Sequence, residues 1–95
     1  MHTSIRRYKL AGDLDEATDL IKREFIPAMA TMPGFLAYYA MHAGDGTVTS
    51  ISVFEDAEGA EASNRKAAEV VGEKLSHLVD GPPEITSGEV IAAES

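Results

Sequence analysis

The sequence predicts an α+β fold with the element order βαββαβ, and three of its features carry that reading. Two β-prone runs flank Gly44-Asp45-Gly46, the pattern of a tight antiparallel hairpin. Two stretches of helical spacing, one on each side of that hairpin, both open on aspartate and close on proline and glycine. Short β-prone runs then stand before the first of these stretches and after the second.

Ser4 to Leu10 contains Ile5, Tyr8 and Leu10 and runs into Gly12-Asp13, which predicts a first strand and a turn. From Asp13 the spacing becomes helical: Leu14, Ala17, Ile21, Phe25, Ala28 and Met32 fall on one stripe, with Asp15, Glu16, Asp19 and Lys22 off it. Asp13 is the expected N-cap, and Glu16 completes a D-x-x-E capping box. Pro27 lies inside the pattern, where it cannot donate to the carbonyl of Arg23, so a kink or restart is expected there. Pro33-Gly34 ends the helix, and Gly34 to Ala43 follows as a strand rich in aromatic residues. Thr47 to Glu55 is β-branched and alternating, so it returns antiparallel. Asp56 to Val79 places Ala60, Asn64, Ala67, Val71, Leu75 and Leu78 on one helical face. Gly81-Pro82-Pro83 stops it, and Glu84 to Ala93 supplies the last strand.

Ninety-five residues suit one domain, spanning 1–95, with 44% hydrophobic and 25% charged residues. Sixteen acidic against eight basic side chains give a net charge of −8, which argues against nucleic acid or an anionic membrane as partner. No apolar run approaches the roughly 20 residues of a membrane span, and Met1 to Ser4 lacks the apolar core of a signal peptide, so a cytoplasmic location is expected. Without cysteine there are no disulfides, thiolate metal sites or cysteine nucleophiles.

Two crossover helices in this order pack on one face of a four-stranded antiparallel sheet and leave the other open. A two-residue turn at Asp45-Gly46 would set Tyr39 opposite Ser52 and Met41 opposite Ser50. One face then gathers Phe35, Tyr39, Met41, Val48 and Phe54, and the other Leu36, Tyr38, Ala40, Ile51 and Val53. Both are apolar, so the open face needs cover, and a second copy of the chain supplies it most simply. A homodimer is expected.

Ile5-Arg6-Arg7-Tyr8, Met32-Pro33-Gly34-Phe35, Ser50 through Asp56 and Gly88-Glu89-Val90 together resemble the antibiotic biosynthesis monooxygenase-like family of the dimeric α+β barrel superfamily. The resemblance covers nearly the whole chain. It implies a ferredoxin-like protomer, two sheets joined in a shared barrel, and a ligand cavity between sheet and helices in each protomer. It also implies oxygenation of a small aromatic or quinone-like substrate without metal or cofactor, or, in other relatives, haem binding. Tryptophan with asparagine, or a haem-ligating histidine, commonly serves those activities, and this chain has no tryptophan. A non-catalytic dimeric module that binds a small apolar or aromatic ligand, or serves a structural purpose, is the alternative.

Four residues stand out as candidates. Asn64 is an amide on the apolar stripe of the second helix, placed either to hold a substrate oxygen or to satisfy nearby backbone. Arg7, on the strand face alternate to Tyr8, is a candidate to bind an anionic or phenolic ligand or to pair with Glu89. Tyr38 and Tyr39 must face opposite ways, and Tyr39 is the candidate to line a cavity. His42, near the hairpin, is a candidate general base or a solvated loop-end residue. The three histidines lack the short spacings of a metal site, so no metal is expected. Ser50 and Ser52 lack the glycine-flanked elbow of a hydrolase nucleophile.

Overall fold

Alternation along the first strand decides what lies at the centre of the molecule. In a computed structural model describing residues 1–95, β1 (His2–Lys9) buries Ser4, Arg6 and Tyr8 on one face, while Arg7 and Lys9 point to the other. Both of its edges are paired. β3 (Thr47–Phe54) runs antiparallel on one side and β4 (Glu84–Glu89) on the other, with β2 (Phe35–His42) beyond β3, giving the order β2-β3-β1-β4. This is a ferredoxin-like α+β sheet.

α1 (Leu14–Leu20) starts at Asp13, whose carboxylate accepts the Glu16 backbone N–H at 3.1 Å. The box is not reciprocal. The Glu16 carboxylate instead meets His77 Nε2 at 2.8 Å, tying the start of the first helix to the end of the last. Pro27 enters within the first turn of α2 (Ile26–Ala30), and the expected kink takes the form of a π turn over Ile21–Phe25. Widening relieves the clash between the proline ring and the carbonyl four residues back, and the Ile26 N–H accordingly bonds to the carbonyl of Ile21.

α3 (Ala57–Val70) is capped by Asp56, which accepts the Gly59 N–H at 2.8 Å. It buries Ala60, Ser63, Ala67 and Val70, and then widens into a second π turn over Val71–Leu75 and a 3-10 turn over Ser76–Leu78. Phe25, Met29, Ala67, Val70 and Leu75 form the core between these helices and the sheet. Tyr38 and Phe35 pack against it, Tyr38 with its ring 5.5 Å from that of Phe25.

The hairpin is present with a longer turn than the two residues expected. His42 pairs with Val48, the Ala43 N–H bonds to the Thr47 carbonyl at 2.8 Å, and Gly44 and Gly46 both take positive φ. The register therefore moves by one residue: Tyr38, not Tyr39, opposes Ser52, and Ala40, not Met41, opposes Ser50. A bulge between Phe35 and Ala37 lets Phe35 and Tyr38 share the helix-covered face with Val48 and Phe54. Tyr39 and Met41 lie on the uncovered face, 61% and 52% exposed, beside Ile51 and Val53. The last strand ends at Glu89 rather than Ala93, and Ile91 beyond it is exposed.

Candidate functional site

Ser4, Arg6 and Tyr8 arrive on the covered face of β1 because they are two residues apart. Ser52 and Ser50 oppose Ser4 and Arg6 from β3. α3 closes over them with Ser63 and Asn64. The result is a guanidinium with no exposed surface at all, held by neutral oxygens. Arg6 Nη1 donates to Asn64 Oδ1 at 2.8 Å and Ser63 Oγ at 3.3 Å, and Nη2 donates to Ser50 Oγ at 3.0 Å and Ser52 Oγ at 3.2 Å. Phe25 lies against it, with the guanidinium carbon 5.8 Å from the ring centroid.

No carboxylate reaches this charge. The ion pairs, Arg23 with Asp19, Lys66 with Glu69 and His77 with Glu16, are all on the surface. Arg6 Nε has no partner. Burial lowers the Arg6 pKa, yet arginine stays protonated across the physiological range. Tyr8 does not neutralise it: burial pushes the Tyr8 pKa up to about 12, against the pull of the nearby positive charge. Its hydroxyl feels that charge without giving Nε a hydrogen bond of good geometry. Tyr38 is likewise raised, by burial first, while a hydrogen bond from Ser50 and the charge of Arg6 act the other way. Both phenols are neutral near pH 7.

Two hydrogen-bond arms leave the guanidinium. On one, Ser50 Oγ donates to Tyr38 Oη at 2.9 Å, which leaves the tyrosine proton free to point onward. On the other, Asn64 Oδ1 also accepts from Ser4 Oγ at 2.5 Å, and Asn64 Nδ2 donates to Ser87 Oγ of β4 at 3.3 Å. The first arm ends beside a cavity of about 30 Å³ whose exposed lining is wholly apolar, bordered by Tyr8, Tyr38 and Ser50. Ile21 and Phe25 from one π turn and Val71 and Leu75 from the other form its apolar wall. A more open groove of about 200 Å³, running past Leu14, Ile26, Met41 and His42, shares Ala17, Ile21 and Val48 with the cavity.

Of the four candidates read from the sequence, only Asn64 belongs to this cluster, at the arm away from the cavity. Arg7 is corrected. It points to the opposite face, between Thr49 and Glu84, and its neighbour Arg6 is the inward arginine. Tyr39 also faces outward, and Tyr38 takes the inward place, because the hairpin register is one residue from the expected one. His42 sits exposed at the end of β2, on the rim of the groove and apart from the guanidinium cluster. Arg6, Tyr8, Ser50, Ser52 and Ser63 were not singled out as a site. The available signal was the period-two run Ser4, Arg6, Tyr8 facing a second run, Ser50 and Ser52. No three or more histidine, aspartate or glutamate side chains gather closely enough to hold a metal ion.

Neither protein-family models nor curated proteins give a match to the sequence. Solved structures do. A protein of unknown function from Nitrosomonas europaea is 23% identical, with a TM-score of 0.81 over 99% of this chain and 92% of that one. SnoaB, a cofactor-independent oxygenase from Streptomyces nogalater, is 17% identical, with a TM-score of 0.76 over 97% of this chain and 94% of its own. A monooxygenase from ActVA-Orf6 of Streptomyces coelicolor, solved with nanaomycin D, is 17% identical, with a TM-score of 0.76 over 99% of this chain and 90% of its own. The chain has the fold of these oxygenases, and the ferredoxin-like protomer expected from the sequence resemblance is the one found.

Proposed function

We propose that this chain is a single-domain, cytoplasmic, homodimeric member of the antibiotic biosynthesis monooxygenase-like family. In this reading it oxygenates a small aromatic or quinol-like substrate without metal or cofactor. One observation carries it: a buried polar cluster centred on Arg6 and containing Asn64 adjoins an apolar cavity between the sheet and the helices. The similarity in fold to two oxygenases supports it. No helix is long and apolar enough to cross a membrane.

In that chemistry the substrate itself supplies electrons to O₂. The protein's part is to bind the ring in a dry pocket, hold its oxygen with donors and steady the charge that develops there. Tyr38, polarised by Arg6 through Ser50, is the donor best placed to do so, and Asn64 positions Arg6 from behind. The test is aerobic incubation with a dihydroxynaphthalene under isotopically labelled O₂. The expected product carries one labelled oxygen in place of two hydrogens, the other oxygen leaving as water, at a rate that falls at least about tenfold in Tyr38→Phe. Absence of protein-dependent O₂ uptake across a panel of phenols and quinols would sink the enzymatic reading.

A second reading has its own observation. The cavity, at about 30 Å³, holds one or two waters rather than a ring. On this reading the chain is a non-catalytic dimeric module that binds a small apolar or aromatic ligand or serves a structural purpose. Saturable ligand binding without O₂ uptake would favour it.

A further inference from the structure

The chain holds two aspartate-glycine pairs at turns, Asp45-Gly46 in the hairpin and Asp80-Gly81 between the last helical turn and β4. An aspartate before glycine can bring its side-chain Cγ onto the glycine's backbone nitrogen, because no Cβ shields that nitrogen. Both aspartates are exposed, and both border one surface hollow with Arg7 and Lys9. Neither glycine N–H has a partner in the protein, and both glycines take positive φ with open space where a side chain would stand. What separates the two pairs is the acid. The Asp45 carboxylate accepts the Thr47 N–H at 3.1 Å, a bond that holds its pKa below the usual carboxylate value. Asp80 is held by its backbone N–H alone, which donates to the Lys9 carbonyl at 2.9 Å, and its carboxylate takes part in none of the ion pairs. We propose that Asp80-Gly81 is a self-modification site at which the folded chain converts aspartate to isoaspartate, and that Asp45-Gly46 is protected from the same change.

The Gly81 nitrogen attacks Cγ of the protonated Asp80 carboxyl, and as the new C–N bond forms, the acid's hydroxyl and the amide proton leave together as water. The product is a five-membered succinimide. Water then adds to either ring carbonyl. Opening at the main-chain carbonyl leaves the backbone running through Cγ and releases the old main-chain carbon as a carboxylate. No electrons change hands, and water is the only co-reactant. An ionised carboxylate lacks the hydroxyl leaving group, so the bond from Thr47 that keeps Asp45 ionised also disarms it. At Asp80 the chain has room to turn. Upstream, Val79 bridges to Leu10; downstream, Pro82 and Pro83 lead into Glu84, which pairs with Arg7. The isoaspartyl link inserts one extra carbon into the backbone between these anchors, just ahead of β4. The displacement falls on an edge strand, first on the pairs Arg7 with Glu84 and Arg6 with Ile85, then on Ser87, which bonds Ser4 and Asn64. β4 therefore loosens as the protein ages.

The test is to age the full chain at neutral pH for weeks, reading isoaspartate by enzymatic carboxyl methylation from S-adenosylmethionine and locating it by peptide fragmentation. Isoaspartate should accumulate at Asp80 at least about tenfold faster than at Asp45, the factor expected from a hydrogen bond to a charged group. A peptide lighter by one water should precede it. In urea the two sites should react at similar rates, since the bond from Thr47 is then gone. No change at Asp80, or a change at Asp45 as fast, overturns the proposal in the unaltered protein and needs no variant to fold. The same preference persisting in urea removes the fold as its cause and overturns it too. Asp80→Glu, whose longer side chain closes the larger ring far less readily, should stay unmodified at this position. After ageing, amides of Glu84–Glu89 should exchange at least about tenfold faster in the unaltered chain and no faster in Asp80→Glu. Unchanged exchange in modified protein overturns the link to β4.

Discussion

Arg6 draws its hydrogen bonds from four different side chains, so the removal of one leaves a charged donor partly unsatisfied rather than free. Asn64 is the strongest of the four by distance, at 2.8 Å. Asn64→Ala should lower stability by about 1–3 kcal/mol, measured by urea denaturation, although Asn64 is only half buried. Tyr8 gives a second test. Its pKa is raised in the folded protein to about 12, so the folded state holds that proton more tightly than the unfolded chain, whose tyrosine titrates near 10. The contribution to stability is complete below about pH 10 and is lost as pH rises toward 12. Denaturation midpoints should fall across that interval, and Tyr8→Phe should flatten the fall. At this scale the sequence was only half legible. Asn64 stood out because an amide on an apolar stripe is conspicuous, whereas Arg6 did not, because consecutive arginines on a strand face opposite ways and only the buried status of Ser4 and Tyr8 decides between them.

Both long helical segments widen midway, and both wide turns border the same cavity. Pro27 explains the first. Pro27→Ala should restore a regular turn, moving the Ile26 N–H bond from the Ile21 carbonyl to that of Lys22 and turning Phe25 relative to Arg6; a crystal structure of the variant checks this. Helix limits and caps were readable because Asp13 and Asp56 act through local geometry that the sequence states outright. The π turns were not, since helical periodicity survives the insertion of one wide turn. The strand register was missed for a related reason. Gly44-Asp45-Gly46 announces a turn, but the turn spans more residues than the glycines alone suggest, and the Phe35/Ala37 bulge then re-phases the strand entering it.

The expectation of an uncovered apolar sheet face holds for the whole molecule, with different residues on that face. Phe35 and Phe54 are inside, their rings 5.8 Å apart, and Tyr39, Met41, Ile51 and Val53 form the patch instead. If two copies join there, the protein should sediment at twice its 10.1 kDa, and Tyr39→Asp with Met41→Asp should sediment as a monomer. A monomer of the unaltered chain at micromolar concentration would refute the homodimer. The order of strands also sets an order of opening. β4 is an edge strand with every residue exposed, while β1 and β3 are paired on both sides. Amide hydrogens should therefore exchange first along Glu84–Glu89 and last near Ser50 and Arg6. Fraying of β4 releases Ser87 from Ser4 and Asn64 and leaves all four side-chain partners of Arg6 in place, since none of them belongs to that strand. The charged centre is thus insulated from the most labile edge of the sheet, and exchange at that edge can proceed many times without water meeting the guanidinium.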